Sequence, residues 1–168
     1  PYLALAALET IASDMTALAY RQEILAEDAE DAPGALWTRA LIDKSRCVEH
    51  PGLTRIVVGV DPPGGATECG IVVAGVAAQN GQVHGYVLED RSLRASPDTW
   101  AGEVLAAYIR WQADRVVGEA NYGGDMVEST IRQAARSRGQ EVSYKAVQAT
   151  RGKAVRAEPI AALFEQGR

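Results

Sequence analysis

An α/β domain built on a mixed five-stranded sheet is predicted by three observations. Short apolar runs, mostly β-branched and too short for core helices, recur from Arg55 onward and read as strands. Gln79-Asn80-Gly81 separates the second and third of them as a hairpin turn. Helix-period segments with start signals then separate the third strand from the fourth and the fourth from the fifth, which gives the order β-β-β-α-β-α-β.

The elements follow in chain order. Leu5, Leu8, Ile11, Met15 and Leu18 recur at helical spacing, so residues 3 to 20 read as an amphipathic helix. Glu23 to Gly34 is acidic, ends in Pro33-Gly34 and reads as an exposed connection; Leu36 to Arg46 is a further short helix. Strands are expected at about 55 to 61, 70 to 77 and 82 to 89. Ser96-Pro97-Asp98 combines an N-cap with an N1 proline, and Trp100, Val104, Ala107 and Trp111 keep helical spacing behind it, as core rather than base-stacking residues. The fourth strand ends at Glu119, and a helix runs from the Asn121 to Asp125 segment to about Arg138, where Gly139 stops it. Val142 to Ala149 is the fifth strand, Arg151-Gly152-Lys153 a basic loop, and Glu158 to Gln166 the last helix. Three strands in hairpin order followed by α-β-α-β match a ribonuclease H-like sheet flanked by helices, with the first and fourth strands adjacent at its centre.

Two strands end in acids. Arg55-Ile-Val-Val-Gly-Val-Asp61 and Arg115-Val-Val-Gly-Glu119 each deliver one carboxylate to a C-terminal strand end, before Pro-rich or Gly-rich backbone. Adjacent strands lie about 4.8 Å apart, so two such charges would repel by roughly 4 kcal/mol at an effective dielectric near 20. A divalent cation removes that cost. Oxygen ligands without histidine or cysteine favour Mg²⁺ or Mn²⁺ over Zn²⁺, and such sites commonly hydrolyse phosphodiesters. The plainer reading makes Asp61 a turn-former before Pro62-Pro63-Gly64-Gly65 and Glu119 a loop edge; it weakens when the two acids are taken as a pair.

The net charge of −5 argues against a nucleic-acid partner until its distribution is read. Residues 1 to 54 hold nine acids against four bases, whereas residues 55 to 168 carry thirteen of each. Between Arg132 and Arg156 stand seven bases, Arg132, Arg136, Arg138, Lys145, Arg151, Lys153 and Arg156, against the single acid Glu141, so a basic face is available for phosphate contacts; a solvated charged surface is the plainer alternative. Cys47 and Cys69 have no metal-ligand spacing and read as reduced thiols, and His50 and His84 are isolated. The N-terminal apolar stretch is short, lacks a basic flank and meets Glu9 and Asp14, so it reads as neither a signal peptide nor a membrane span.

Six segments together carry a resemblance: Tyr20-Arg21-Gln22-Glu23, Gly34-Ala-Leu-Trp37, Val58-Gly-Val-Asp61-Pro62, Cys69-Gly-Ile-Val-Val-Ala-Gly75, Glu119-Ala-Asn-Tyr-Gly-Gly-Asp-Met-Val127 and Arg151-Gly-Lys-Ala-Val-Arg-Ala-Glu-Pro159. In this order and spacing they resemble the large terminase subunit of tailed bacteriophages and prophages. The resemblance implies that residues 1 to 54 are the tail of a packaging ATPase domain with its linker, and that residues 55 to 168 are a ribonuclease H-like nuclease domain cutting concatemeric double-stranded DNA. Asp61 carries over as the first metal ligand and Glu119 as the second, with two ions, Mg²⁺ or Mn²⁺, in the intact site. A third carboxylate is implied on a helix near the C-terminus, and the sequence is expected to stop at Arg168 before that helix. Glu68, Asp125 and Glu158 are the remaining candidate acids for that position, although Asp125 at a helix start and Glu158 before Pro159 also suit capping. Arg151, Lys153, Arg156, Arg136 and Arg138 are the implied DNA contacts. The implied partners are duplex DNA, the upstream ATPase domain of the same polypeptide, the portal and the small terminase subunit, in the bacterial host cytoplasm and transiently at the procapsid portal, with no membrane.

Two other readings compete. Asp61-Pro-Pro-Gly-Gly-Ala-Thr67 after a strand also looks like the first phosphate-binding turn of actin-like and sugar-kinase ATPases, but such enzymes need a second lobe for which 168 residues leave no room. An inert docking module of the packaging motor is the third reading, and the missing third acid is its discriminator.

Overall fold

The computed structural model describes residues 35–62, 68–120 and 124–168. The helix expected over residues 3 to 20 and the acidic connection to Gly34 lie outside the described residues. Clustering of close contacts gives two compact units: one holds the described residues up to Arg46 with Ala157–Gly167, the other Cys47–Arg156 with Arg168.

In the smaller unit, helix α1 spans Arg39–Lys44. It starts three residues later than expected because Thr38 adopts extended backbone and its hydroxyl accepts the Leu41 amide at 3.1 Å, an N-cap that turns the residues before it out of the helix. Trp37 meets Phe164 edge-to-face, ring centroids 5.9 Å apart.

The larger unit is the sheet: β1 (Arg55–Asp61), β2 (Gly70–Gln79), β3 (Gln82–Asp90), β4 (Arg115–Glu119) and β5 (Tyr144–Val147). Its order is β3-β2-β1-β4-β5, so the first and fourth strands are neighbours, as expected. β1 runs antiparallel to β2 and parallel to β4; β2 and β3 are antiparallel, and β4 and β5 parallel. Asn80 and Gly81 both take positive φ, 51° and 77°, the backbone of a hairpin turn whose twist matches its strands.

Helices α2 (Pro97–Arg110) and α3 (Gly124–Arg136) cover one sheet face. Ser96 caps α2 by accepting the Thr99 amide, and Pro97 fills the first turn, where a missing N–H costs nothing. Trp100, Val104, Leu105 and Ala107 of α2 join Val127, Ile131 and Ala134 of α3 over Val58, Val60, Ile71, Val73 and Val116 of the sheet, all buried. Trp111 caps α2 half-buried, and its indole N–H donates to Glu89 Oε2 at 2.6 Å. Both tryptophans are thus structural, as expected. α3 ends at Arg136; Gly139, at φ 64°, sends its N–H back to Arg136 while the Gln140 N–H reaches Ala135, the left-handed stop the sequence announced.

Two expectations need correction. β5 is four residues long rather than the eight of Val142 to Ala149, because it can pair only alongside β4, whose five residues limit the register to Val116↔Tyr144 through Glu119↔Val147. The last helix, α4, spans Lys153–Glu165 and so starts five residues earlier than expected, with Pro159 inside it and Glu158 in its second turn rather than in a capping turn. Lys153-Ala-Val-Arg-Ala-Glu158 are mostly strong helix formers, and the proline costs one backbone hydrogen bond, to the carbonyl of Val155.

A single buried thiol predicts alkaline behaviour. Cys69 is fully buried beside the end of β1, and burial first, then the negative charge of Asp61, push its thiol from its ordinary 9.0 up to about 11. Tyr144 is pushed up as well, chiefly by burial. A raised folded-state value means the proton is held more tightly by the folded chain, so this stability is complete below about pH 9 and is lost as pH rises through about 11. Denaturant midpoints should therefore fall across that window, and Cys69→Ala should flatten the decline. A decline of equal slope in the variant would assign it elsewhere.

Candidate active site at the ends of two parallel strands

The site grows from the register of β1 and β4. Val60 lies opposite Gly118 in parallel register, and Asp61 and Glu119 each follow one step later, where both strands end. Side chains alternate along a strand, so with Val58, Val60 and Val116 turned into the helical core, Asp61 and Glu119 share the other face. The start of this strand pair is tied too: the Ile56 amide donates to Asp114 Oδ2 at 2.8 Å and the Asp114 amide to the Ile56 carbonyl at 2.8 Å.

Glycines make room around the acids. Gly70 pairs with Asp61 across β1 and β2, and a Cβ on it would stand 3.3 Å from that of Asp61. On the core face, the Tyr144 hydroxyl and ring occupy the space a Gly118 side chain would need, with Cζ and Cε2 only 2.9 and 3.2 Å from that position. That hydroxyl is buried and has no hydrogen-bond partner among the described residues. Neither glycine was singled out in the sequence, where an isolated glycine in a strand signals a close approach but does not say by what.

Each acid faces a cation from the first turn of α4. Lys153 Nζ lies 3.4 Å from Asp61 Oδ2, and Arg156 Nη1 lies 3.6 Å from Glu119 Oε2. The first pair is open to solvent, its side chains 81% and 59% exposed; the second is more enclosed, at 39% and 22%. Residues three apart share one helix face, which is why a single turn serves both acids. Arg156 Nε also donates to the Arg151 carbonyl at 3.1 Å and fastens the basic loop to this turn.

The other expected acids form no metal-holding group of three with the pair among the described residues. Asp125 is exposed in the first turn of α3, where a negative charge favours the helix dipole. Glu68 is exposed just before Cys69, and Glu158 is exposed within α4. Among the described residues no three acids, histidines or cysteines gather as metal ligands. Of the basic residues, Lys153 and Arg156 meet the acid pair, and Arg151 is joined to them through its carbonyl. Arg136 and Arg138 do not join them: α3 carries the chain from the end of β4 back to the start of the parallel β5, so its last turn lies toward the opposite end of the strands. There Arg138 Nη1 donates to the Ala134 carbonyl at 3.1 Å, and its guanidinium lies over Gly102 of α2. Arg132 is likewise engaged, with Glu128 at 2.7 Å and the Val142 carbonyl at 3.2 Å.

Two carboxylates on one face, with positive charge drawn to each, form an all-oxygen donor set that suits a hard divalent cation such as Mg²⁺ or Mn²⁺. Residues 58–168 match the family model described as the terminase RNaseH-like domain. The chain belongs to that family. The terminase RNase H-like match takes in both acids, all five strands from Val58 onward and the whole of α4. A search of curated proteins gave no significant match. Among solved structures the chain is similar to one titled "Thermus thermophilus RuvC structure", at 23% identity and a TM-score of 0.42; the match covers 55% of this chain and 61% of that one. No helix among the described residues is long and apolar enough to cross a membrane.

Proposed function

We propose that this terminase RNase H-like domain is a metal-dependent endonuclease that cuts concatemeric double-stranded DNA during packaging. The observation that carries the reading is the placement of Asp61 and Glu119 one step beyond a paired position on adjacent parallel strands, with Lys153 and Arg156 drawn to them. Asp61 and Glu119 would hold the divalent ions, Mg²⁺ or Mn²⁺. When bound, such ions polarise the phosphodiester and make water a better nucleophile. The pairing of β1 with β4 fixes the backbone from which both carboxylates project, so the strands themselves need not move when the cation and the phosphate arrive. Arg151, Lys153 and Arg156 supply positive charge beside that position, to engage phosphates flanking the scissile bond and to offset the charge that builds on it. In the same reading residues 1 to 54 continue from a packaging ATPase domain, and the portal and small terminase subunit are partners in the host cytoplasm.

Supercoiled plasmid incubated with Mg²⁺ or Mn²⁺ should be nicked and linearised, and a chelator should stop it. No cleavage with either ion would contradict the proposal. The DNA contact has its own test. Lost phosphate contacts lower the slope of log affinity against log salt by roughly 0.9 each. Replacing Arg151 and Lys153 with glutamate should therefore flatten that slope and weaken binding to all duplex sequences alike. A loss confined to one sequence would instead mean that these side chains read bases.

A further inference from the structure

We propose that Lys153 and Arg156 are built-in counter-ions for the acid pair, which a divalent cation has to displace before the site can load. The inference rests on the reading that Asp61 and Glu119 hold metal, and it adds what they hold beforehand. Three observations carry it. The two cations stand three residues apart on one helical turn, and each meets a different acid, so one short segment compensates both carboxylates. At 3.4 and 3.6 Å, neither contact is a tight bidentate fork of the kind that fixes an arginine to a carboxylate. The Lys153 pair is mostly in solvent, where an ion pair holds weakly and opens readily.

Displacement follows from charge. A carboxylate pair facing one ammonium and one guanidinium is neutral overall; one divalent ion supplies the same positive charge at shorter range and can be shared by both acids. The side chains it displaces keep their own charges and lie beside the place where a phosphate would sit. The same turn thus serves the acids in the unloaded chain and DNA in the loaded one. The weakness of the Lys153 contact suits that exchange, because a buried pair of this kind would resist opening.

The test is calorimetric titration of the full chain with Mn²⁺, which reads metal affinity without requiring cleavage. Lys153→Met should tighten Mn²⁺ binding by about threefold and the double variant Lys153→Met/Arg156→Met by about tenfold, the range expected for removing weak, partly exposed competing ion pairs. Arg151→Met is the control: it removes one positive charge from the same basic segment without removing a contact to either acid, and should tighten binding less than Lys153→Met. Arg156→Gln provides a second variant that keeps a polar side chain at the more enclosed position. Unchanged or weaker binding in the Lys153 and Arg156 variants overturns the counter-ion role, as does an equal gain in Arg151→Met, which would mark a general field effect. Asp61→Asn separates the two levels. If it abolishes binding while the lysine and arginine variants show no gain, only the counter-ion role fails. If it leaves binding unchanged, or no variant binds Mn²⁺, the metal reading falls and the counter-ion role with it.

Discussion

Asp61→Asn is expected to reduce plasmid nicking by more than about a hundredfold while leaving the fold in place. Outer-sphere partners of metal sites already cost roughly 10- to 100-fold when removed, and a direct ligand should cost at least as much. The substitution keeps shape and volume but removes the charge that a hard cation needs and halves the acid pair. Little stability is at stake. The Asp61 side chain is 59% exposed and its ion pair with Lys153 lies in solvent, so the change belongs with surface substitutions of about 0.5 kcal/mol or less. The measurement is nicking by wild type and variant at equal concentration, with circular dichroism and a thermal melt showing the same folded state. Cleavage that persists in a folded Asp61→Asn chain removes Asp61 from the site.

The second large effect is on stability. Gly118→Val should destabilise the sheet domain by about 3 kcal/mol, because the new side chain enters space filled by the Tyr144 hydroxyl and ring and the strands on both sides cannot part without breaking their pairing. For a domain of this size that corresponds to a fall of roughly 10 °C in melting temperature. Tyr144→Ala should be costly alone yet recover part of the loss in the double variant, since the two residues compete for one volume; a double-mutant cycle reads that coupling. Additive losses would mean that Gly118 is needed for another reason. Glu119 is the next residue along, so any shift of β4 that relieves the clash also moves a carboxylate of the candidate site.

What was legible in the sequence divides along physical lines. β1 and β4 were readable because β-branched runs bounded by glycine and proline leave few alternatives to a buried strand, and the helix from Ser96 was readable from its cap and its proline. Their adjacency follows from the match of the element order to a ribonuclease H-like sheet rather than from any residue. The start of α4 was not readable, since Pro159 looked like a boundary whereas the helix tolerates it, and that error hid the alignment of Lys153 with Arg156 on one turn. β5 was overestimated because strand length depends on what lies alongside, and β4 is short. Arg136 and Arg138 group with Arg151 by proximity in sequence, but α3 takes them toward the opposite end of the strands. The acids were found as a pair because each is the last residue of its strand; their lysine and arginine partners were expected only at phosphates.

The parallel pairing of β1 with β4 also bears on when the site comes into being. The contact between Ile56 and Asp114 that opens this strand pair joins residues 58 apart in the chain, whereas β1, β2 and β3 are linked by nearest-neighbour antiparallel pairing. Local pairing can precede the long closure, which carries the larger entropic cost and forms more slowly. An antiparallel three-stranded meander therefore carries Asp61 alone, and the second carboxylate arrives only with β4. A ligand that needs both acids finds nothing to bind in the early chain; by mass action it favours the finished domain and acts mainly by slowing unfolding rather than by hastening assembly.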